Sequence, residues 1–148
     1  GLYYAPPALK ESSPLAAAVS GQTWGLDENR DRRKLVQLHL DAAAGTCEER
    51  SRYGGKARGK AFSAEYGLNR WDESTVETPQ GPMNIAAAYG WEDDRTLVLI
   101  RRLLHTPFTV TERYCFTADS VEITRRFNLS LGTQQETVLH GKLIRAGA

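Results

Sequence analysis

Apolar and polar side chains alternate along residues 96–129 with the period of two that is typical of half-buried β-strands. The pattern falls into three runs rich in β-branched and aromatic residues. The runs are separated by His105-Thr106 and by Ala118-Asp119, and both dipeptides suit tight reversals. The segment is therefore predicted to form two antiparallel β-hairpins in series.

A register with two-residue turns brings apolar side chains together along these hairpins, for example Tyr114 with Ile123. The exception is Glu112, which falls opposite Arg125 and diagonal to Arg101. One largely apolar face of the sheet is thus predicted to carry a carboxylate between two guanidiniums. Such a group can be buried because its members satisfy one another's charges and hydrogen bonds.

Two interpretations of this charged group stay open. It is either a structural ion network, which is the more common case for interior charges, or the floor of a site for an anion or carboxylate. The second interpretation follows from the one positive charge that two arginines and one glutamate leave over. Aromatic side chains on the same face would then line the site. The candidate ligand-binding residues are Arg101, Glu112, Arg125, Tyr114, Tyr89 and Trp91.

The rest of the chain repeats the alternation in shorter runs, so the fold class is predicted as all-β. Residues 46–53 are polar and are predicted as an edge or solvent-flanked strand, and residues 69–83 as a long irregular loop. About nine strands in simple succession favour an antiparallel up-and-down meander that closes on itself. The other strands are predicted at 22–26, 34–41, 56–68, 84–91 and 134–145.

Residues 1–19 have a different composition from the rest of the chain. Prolines and serines in this stretch are typical of linkers, and a short helical turn is expected after Pro14. Residues 1–19 are therefore predicted as an interdomain linker and residues 20–148 as a single barrel domain. A chain of 148 residues is long enough for one such domain with a real core.

Composition argues against several classes of partner and site. A net charge of +1 gives no reason to propose nucleic acid, and no apolar run is long enough to span a membrane. Cys47 and Cys115 are predicted as free thiols, and His39, His105 and His140 lie far apart in the sequence. No metal site or cofactor is predicted.

No catalytic motif is present in the sequence. G-x-S-x-G, S-x-x-K and K-T-G, which mark serine nucleophiles, are all absent. The phosphate-binding pattern G-x-x-x-x-G-K-[ST] is absent as well. No catalytic residue is predicted, and the chain is not expected to be an enzyme by itself.

Five short segments occur in an order and at a spacing that are also found in a known family. They are Ser20-Gly21-Gln22-Thr23-Trp24 with Asn29, Gly67-Leu68-Asn69-Arg70-Trp71, Gly90-Trp91 with Asp94 and Thr96, Thr106-Pro107-Phe108, and Tyr114-Cys115-Phe116. In these segments the chain resembles the lipocalin-like β-barrel that follows the catalytic domain in some bacterial serine hydrolases of the β-lactamase and penicillin-binding-protein type. The family's active serine and lysine belong to the preceding domain, so no catalytic residue carries over.

The resemblance implies a non-catalytic accessory domain whose partner is the hydrolase domain of the parent chain. A second hypothesis is a barrel that binds a small hydrophobic ligand or carboxylate, because an eight- or nine-stranded barrel is wide enough for one. A third is an interaction or dimerisation module that uses the exposed edge predicted at 46–53.

Overall fold

Ten β-strands and one helical turn form the described part of the molecule. The computed structural model describes residues 5–55, 60–128 and 134–145. In chain order the elements are α1 (Ala16–Val19), β1 (Thr23–Leu26), β2 (Arg33–Asp41), β3 (Thr46–Tyr53), β4 (Ala61–Leu68), β5 (Asp72–Thr78), β6 (Gly81–Trp91), β7 (Thr96–Leu103), β8 (Thr109–Thr117), β9 (Ser120–Asn128) and β10 (Gln134–Ile144).

The strands form one sheet that closes into a barrel. Its order is β4-β3-β2-β1-β10-β9-β8-β7-β6-β5, so β1 and β10, the first and last strands along the chain, are neighbours in the sheet. A short parallel pairing of Gly67 with Ala88 and of Leu68 with Tyr89 joins β4 to β6 and closes nine strands. Strand β5 pairs with β6 as an extra strand beyond the closure. The prediction of an all-β meander closed into a barrel is confirmed.

The register predicted for the central hairpins is observed. Tyr114 pairs with Ile123, and Glu112 pairs with Arg125. The turn between β8 and β9 contains Ala118 in a left-handed backbone conformation with φ of 49°. Tight hairpin turns require positive φ at such positions, and only a few residue types adopt it readily. The alternation of apolar and polar side chains thus predicted the register of these hairpins correctly.

The strand pairings correct two predictions. Residues 46–53 form strand β3, as predicted, but it pairs with β2 on one side and β4 on the other and is therefore not an edge. The hypothesis of an interaction module required an exposed sheet edge at residues 46–53, and β3 does not provide one. The stretch predicted as irregular contains β5. Strand β3 buries the polar residues Glu49 and Ser51, and β5 is polar along most of its length, so neither shows an apolar face.

The two ends of the barrel differ. The lower end carries the β2–β3, β6–β7 and β8–β9 turns, and the upper end carries the β5–β6 and β7–β8 turns. In the lower half, the ring of Phe116 lies 5.4 Å from that of Trp24 and 6.2 Å from that of Trp91. Residues 9–20 lie against this end, where Val19 is buried in the core and Lys10 bridges to Trp91.

Candidate functional site

Four charged side chains meet in the middle of the barrel. This charged cluster consists of Arg33, Glu49, Arg101 and Glu112. Arg33 donates hydrogen bonds to Glu112 Oε2 at 2.6 Å and to Glu49 Oε2 at 3.2 Å. Arg101 Nη1 donates to Glu49 Oε1 at 3.1 Å and to Glu112 Oε1 at 3.2 Å. Each guanidinium thus bridges both carboxylates, and every carboxylate oxygen accepts at least one hydrogen bond.

Two tyrosines and one serine complete the hydrogen bonding of the cluster. The serine is Ser51, whose hydroxyl accepts a hydrogen bond from Arg33 Nε at 3.1 Å. The hydroxyls of Tyr66 and Tyr114 both donate to Glu49, the first at 2.8 Å. They also accept hydrogen bonds from the guanidiniums, Tyr66 from Arg101 at 2.7 Å and Tyr114 from Arg33 at 2.8 Å. Buried polar groups that are satisfied in this way hold a single arrangement, because breaking any one contact leaves another group unpaired.

A β-bulge brings Arg33 into the interior. The pairing of β2 with β3 shifts register between Arg33 and Leu35, so Lys34 is the extra residue. Without the bulge, strict alternation would place Arg33 on the same outer face as Leu35 and Gln37. With it, Arg33 lies on the inner face with Val36 and is only 3% exposed.

The two glutamates of the cluster have opposite pKa shifts. Burial disfavours the charge of Glu112, but the guanidiniums of Arg33 and Arg101 outweigh that effect and hold its pKa well below the usual range. Burial and the negative charge of Glu112 raise the pKa of Glu49, against the attraction of the same two arginines. The first proton to bind the pair is therefore expected at Glu49.

These shifts predict opposite pH dependences for two matched variants. The lowered pKa of Glu112 stabilises the fold above about pH 4.3, the ordinary glutamate value, and this contribution is lost as the pH falls. The raised pKa of Glu49 stabilises the fold at low pH, and this contribution is lost as the pH rises. Glu112→Gln should therefore cost more stability at pH 7 than at pH 4, and Glu49→Gln the reverse.

Urea unfolding of the wild type and both variants at the two pH values measures this difference. The assignment would be contradicted if the unfolding free energy lost in the two variants changed with pH in the same direction.

The predicted site residues fall into three groups. Arg101, Glu112 and Tyr114 lie together in the charged cluster. Arg125 lies opposite Glu112 on the inner face, but within the described residues no carboxylate of the cluster forms a salt bridge with it. The two remaining candidates, Tyr89 and Trp91, are buried in the core of the lower half.

The sequence prediction missed four members of this network: Arg33, Glu49, Ser51 and Tyr66. The inward position of Arg33 depends on the bulge, so the alternation of apolar and polar residues did not indicate it. Glu49 and Tyr66 do follow the period of two along β3 and β4, and a polar inner face on β3 was the available signal. It was not recognised because a buried glutamate is only plausible once its cationic partners are known.

Above the charged cluster, four inner side chains are apolar and half-buried. This upper rim consists of Phe62, Leu103, Phe108 and Phe127. The rings of Phe108 and Phe127 lie 5.1 Å apart, and the guanidinium carbon of Arg101 lies 4.9 Å from the ring centre of Phe62. These four side chains are therefore more exposed than the apolar side chains of the lower half.

No metal centre and no spanning helix are found in the part of the chain that the structure describes. None of its histidines, cysteines and acidic residues form a group of three or more that could hold a metal ion. Within the same residues, no helix has the length and apolar character needed to cross a bilayer. Cys47, which is buried, and Cys115, which is half-buried, are free thiols, as predicted.

Comparison with known proteins identifies the fold. No protein-family model matches the chain, and no curated protein sequence is similar to it. Among solved structures, it resembles the Schistosoma mansoni fatty acid binding protein in complex with arachidonic acid, with a TM-score of 0.61 and 11% sequence identity. The match covers 88% of this chain and 98% of that chain. The chain therefore has a barrel of the lipocalin and fatty acid binding protein type.

The comparisons give no link to serine hydrolases. The barrel fold implied by the motif resemblance is confirmed, whereas the hydrolase context remains a prediction from short motifs. A structural similarity at 11% sequence identity supports the assignment of the fold and does not assign an activity.

Proposed function

We propose that this barrel binds a small apolar ligand with an acidic group at its upper end. The proposal rests on one observation: Arg125 lies on the inner face beside the half-buried upper rim and takes no part in the salt bridges of the charged cluster. Apolar surface that remains partly exposed at the end of a barrel is stabilised by an apolar ligand, and a guanidinium that forms no salt bridge with the cluster can pair with the carboxylate of that ligand.

The middle of the barrel is unsuited to such an acid. The two guanidiniums of the charged cluster, Arg33 and Arg101, already donate to both of its carboxylates. A ligand carboxylate would have to displace Glu49 or Glu112 and leave it buried without a partner, which is costly. The site is therefore expected to end at the cluster.

The candidate residues then take different roles. Arg125 contacts the acid directly, and Arg101, whose side chain is 11% exposed, forms the floor of the site beside Phe62. Glu112 and Tyr114 hold the charged cluster in place below the ligand. Tyr89 and Trp91 support that floor from the lower half, where their side chains fill the interior.

The solved structure of the same fold supports this choice. The fatty acid binding protein from Schistosoma mansoni is in complex with arachidonic acid. A barrel of this architecture is thus able to hold an apolar acid, and the present chain has the fold and an apolar, cationic upper end.

Replacement of Arg125 tests the proposal. For the fatty or aryl-alkanoic acid that binds best, Arg125→Gln should lower the affinity by about tenfold or more, because one charge-assisted hydrogen bond is lost. Affinity for the matched alcohol should change little. Calorimetric titration of a series of such acids and alcohols gives both values.

Arg126→Gln is the matched control. Arg126 lies next in the chain but faces outward and pairs with Glu136 at 2.9 Å, so its loss should leave binding unchanged. The proposal fails if no acid binds the wild type, or if the Arg125 and Arg126 variants bind acid equally well.

We propose, as a second function, that the barrel is an accessory domain of a serine hydrolase. Its support is the set of shared motifs, several of which gather at the lower end around residues 9–20. Exchanging the barrel of such a hydrolase for this chain should preserve the enzyme's stability and kinetics. Loss of both in a chimaera that expresses as a soluble protein would argue against this second function.

A further inference from the structure

An extended segment of the chain is bound to the outside of the lower end. Lys10 pairs with Trp91 at the end of β6 through two backbone hydrogen bonds, of 2.8 Å and 2.9 Å. Further along, the hydroxyl of Ser13 donates to the backbone carbonyl of Asp94 at 2.5 Å. Residues 9–13 therefore lie along the edge of the sheet as a short additional strand would.

Asn69 recognises the backbone of this segment. Its side-chain amide accepts a hydrogen bond from the Leu9 N–H at 3.1 Å and donates one to the Leu9 carbonyl at 2.8 Å. Asn69 has a left-handed backbone with φ of 50°, which asparagine adopts more readily than most residues. Its own N–H donates to the Tyr89 carbonyl at 2.9 Å, which fixes the side chain beside β6.

Side chains of the segment are recognised as well. Leu9 lies over Gly90 so closely that a Cβ added to Gly90 would come within 2.5 Å of Leu9 Cβ. The ammonium of Lys10 lies 3.7 Å from the carboxylate of Asp94. The surface thus combines paired backbone contacts with a seat for one apolar side chain and an acidic partner for the next.

We propose that this surface, formed by Asn69, Gly90, Trp91 and Asp94, is a recognition site for an extended peptide. Its preferred sequence is a leucine followed by a basic residue and, three residues later, a hydroxyl side chain. Residues 9–13 occupy the site as a tethered ligand. In strand addition of this kind, main-chain hydrogen bonds supply affinity and alternate side chains supply specificity.

Tethering explains how so few contacts hold the segment in place. A segment joined by a short linker meets its site at an effective concentration in the millimolar range. A weak site is then occupied nearly all the time, and a free peptide with the same sequence competes only when the tethered copy is weakened. The motif residues Asn69 and Gly90, which ligand binding at the upper end leaves unused, have a role here.

Peptide binding at this site can be measured once the chain's own segment is weakened by substitution. In the full chain with Leu9→Ser and Lys10→Ser, a fluorescein-labelled peptide of residues 5–14 should bind, as followed by fluorescence anisotropy. Adding Asn69→Ala should weaken that binding by about tenfold or more, because two hydrogen bonds are lost. Asn84→Ala, which removes an asparagine that bonds Thr75 at the upper end, is the matched control.

A second measurement uses the chain with its own segment intact. Trypsin cleavage after Lys10 should accelerate in Asn69→Ala and remain at the wild-type rate in Asn84→Ala. If Asn69→Ala does not fold, Asn69→Asp replaces it, since it keeps the acceptor and loses the donor. Absence of peptide binding, or equal binding and cleavage in the Asn69 and Asn84 variants, would overturn the proposal.

Discussion

Glu112→Gln is expected to lower the free energy of unfolding by about 3–5 kcal/mol at pH 7, the usual cost of breaking a buried ion pair. The glutamine cannot neutralise Arg33 and Arg101, which would remain close together in the middle of the barrel with a single negative charge between them. Its amide would also present N–H groups to guanidinium donors, so hydrogen bonds are lost together with the charge.

Denaturant unfolding measures this cost, and Glu122→Gln provides the control. Glu122 lies on strand β9 of the same hairpin, but its side chain is 54% exposed, and one of its carboxylate oxygens lies 3.9 Å from the imidazole of His140. The control should change stability by about 0.5 kcal/mol or less. Equal costs for the two variants would show that the charged cluster is solvated.

Phe116→Ala is expected to cost about 3–5 kcal/mol, as large-to-small changes of buried aromatics do. The ring contacts Trp24, Trp91 and Tyr114, and the residue is 4% exposed. Its loss would leave a cavity among rigid aromatic side chains that cannot collapse to fill it.

The matched comparison is Phe108→Ala in the upper rim. Phe108 is half-buried and contacts Phe127, so its truncation should cost less than half as much. Thermal or denaturant unfolding of both variants tests the contrast between a buried aromatic core in the lower half and a half-buried upper rim. A larger cost at Phe108 would reverse this picture of the interior.

Alternation predicted the hairpins because each strand there buries one apolar face. The same signal located Glu112, which interrupts an apolar face and therefore demands cationic partners. It named Arg101 correctly as one partner. The other, Arg33, was unpredictable from the period of two, because one inserted residue in β2 moves it from the outer to the inner face.

The lower end shows a different limit of sequence reasoning. Proline- and serine-rich composition predicts a linker at residues 1–19, but it does not indicate that residues 9–13 bind to the barrel through hydrogen bonds. The bonds made by the segment's backbone depend on no particular side chain in the segment itself. Their specificity lies in Asn69, which is distant in sequence and has a role only in the folded barrel.

The most direct test of the proposed binding site is a crystal structure of the barrel with its best-binding acid. The expected result is a carboxylate in salt-bridge contact with Arg125, an apolar tail against the upper rim, and Glu112 still paired with Arg33 and Arg101. A carboxylate bound between Arg33 and Arg101, with Glu112 displaced, would contradict it.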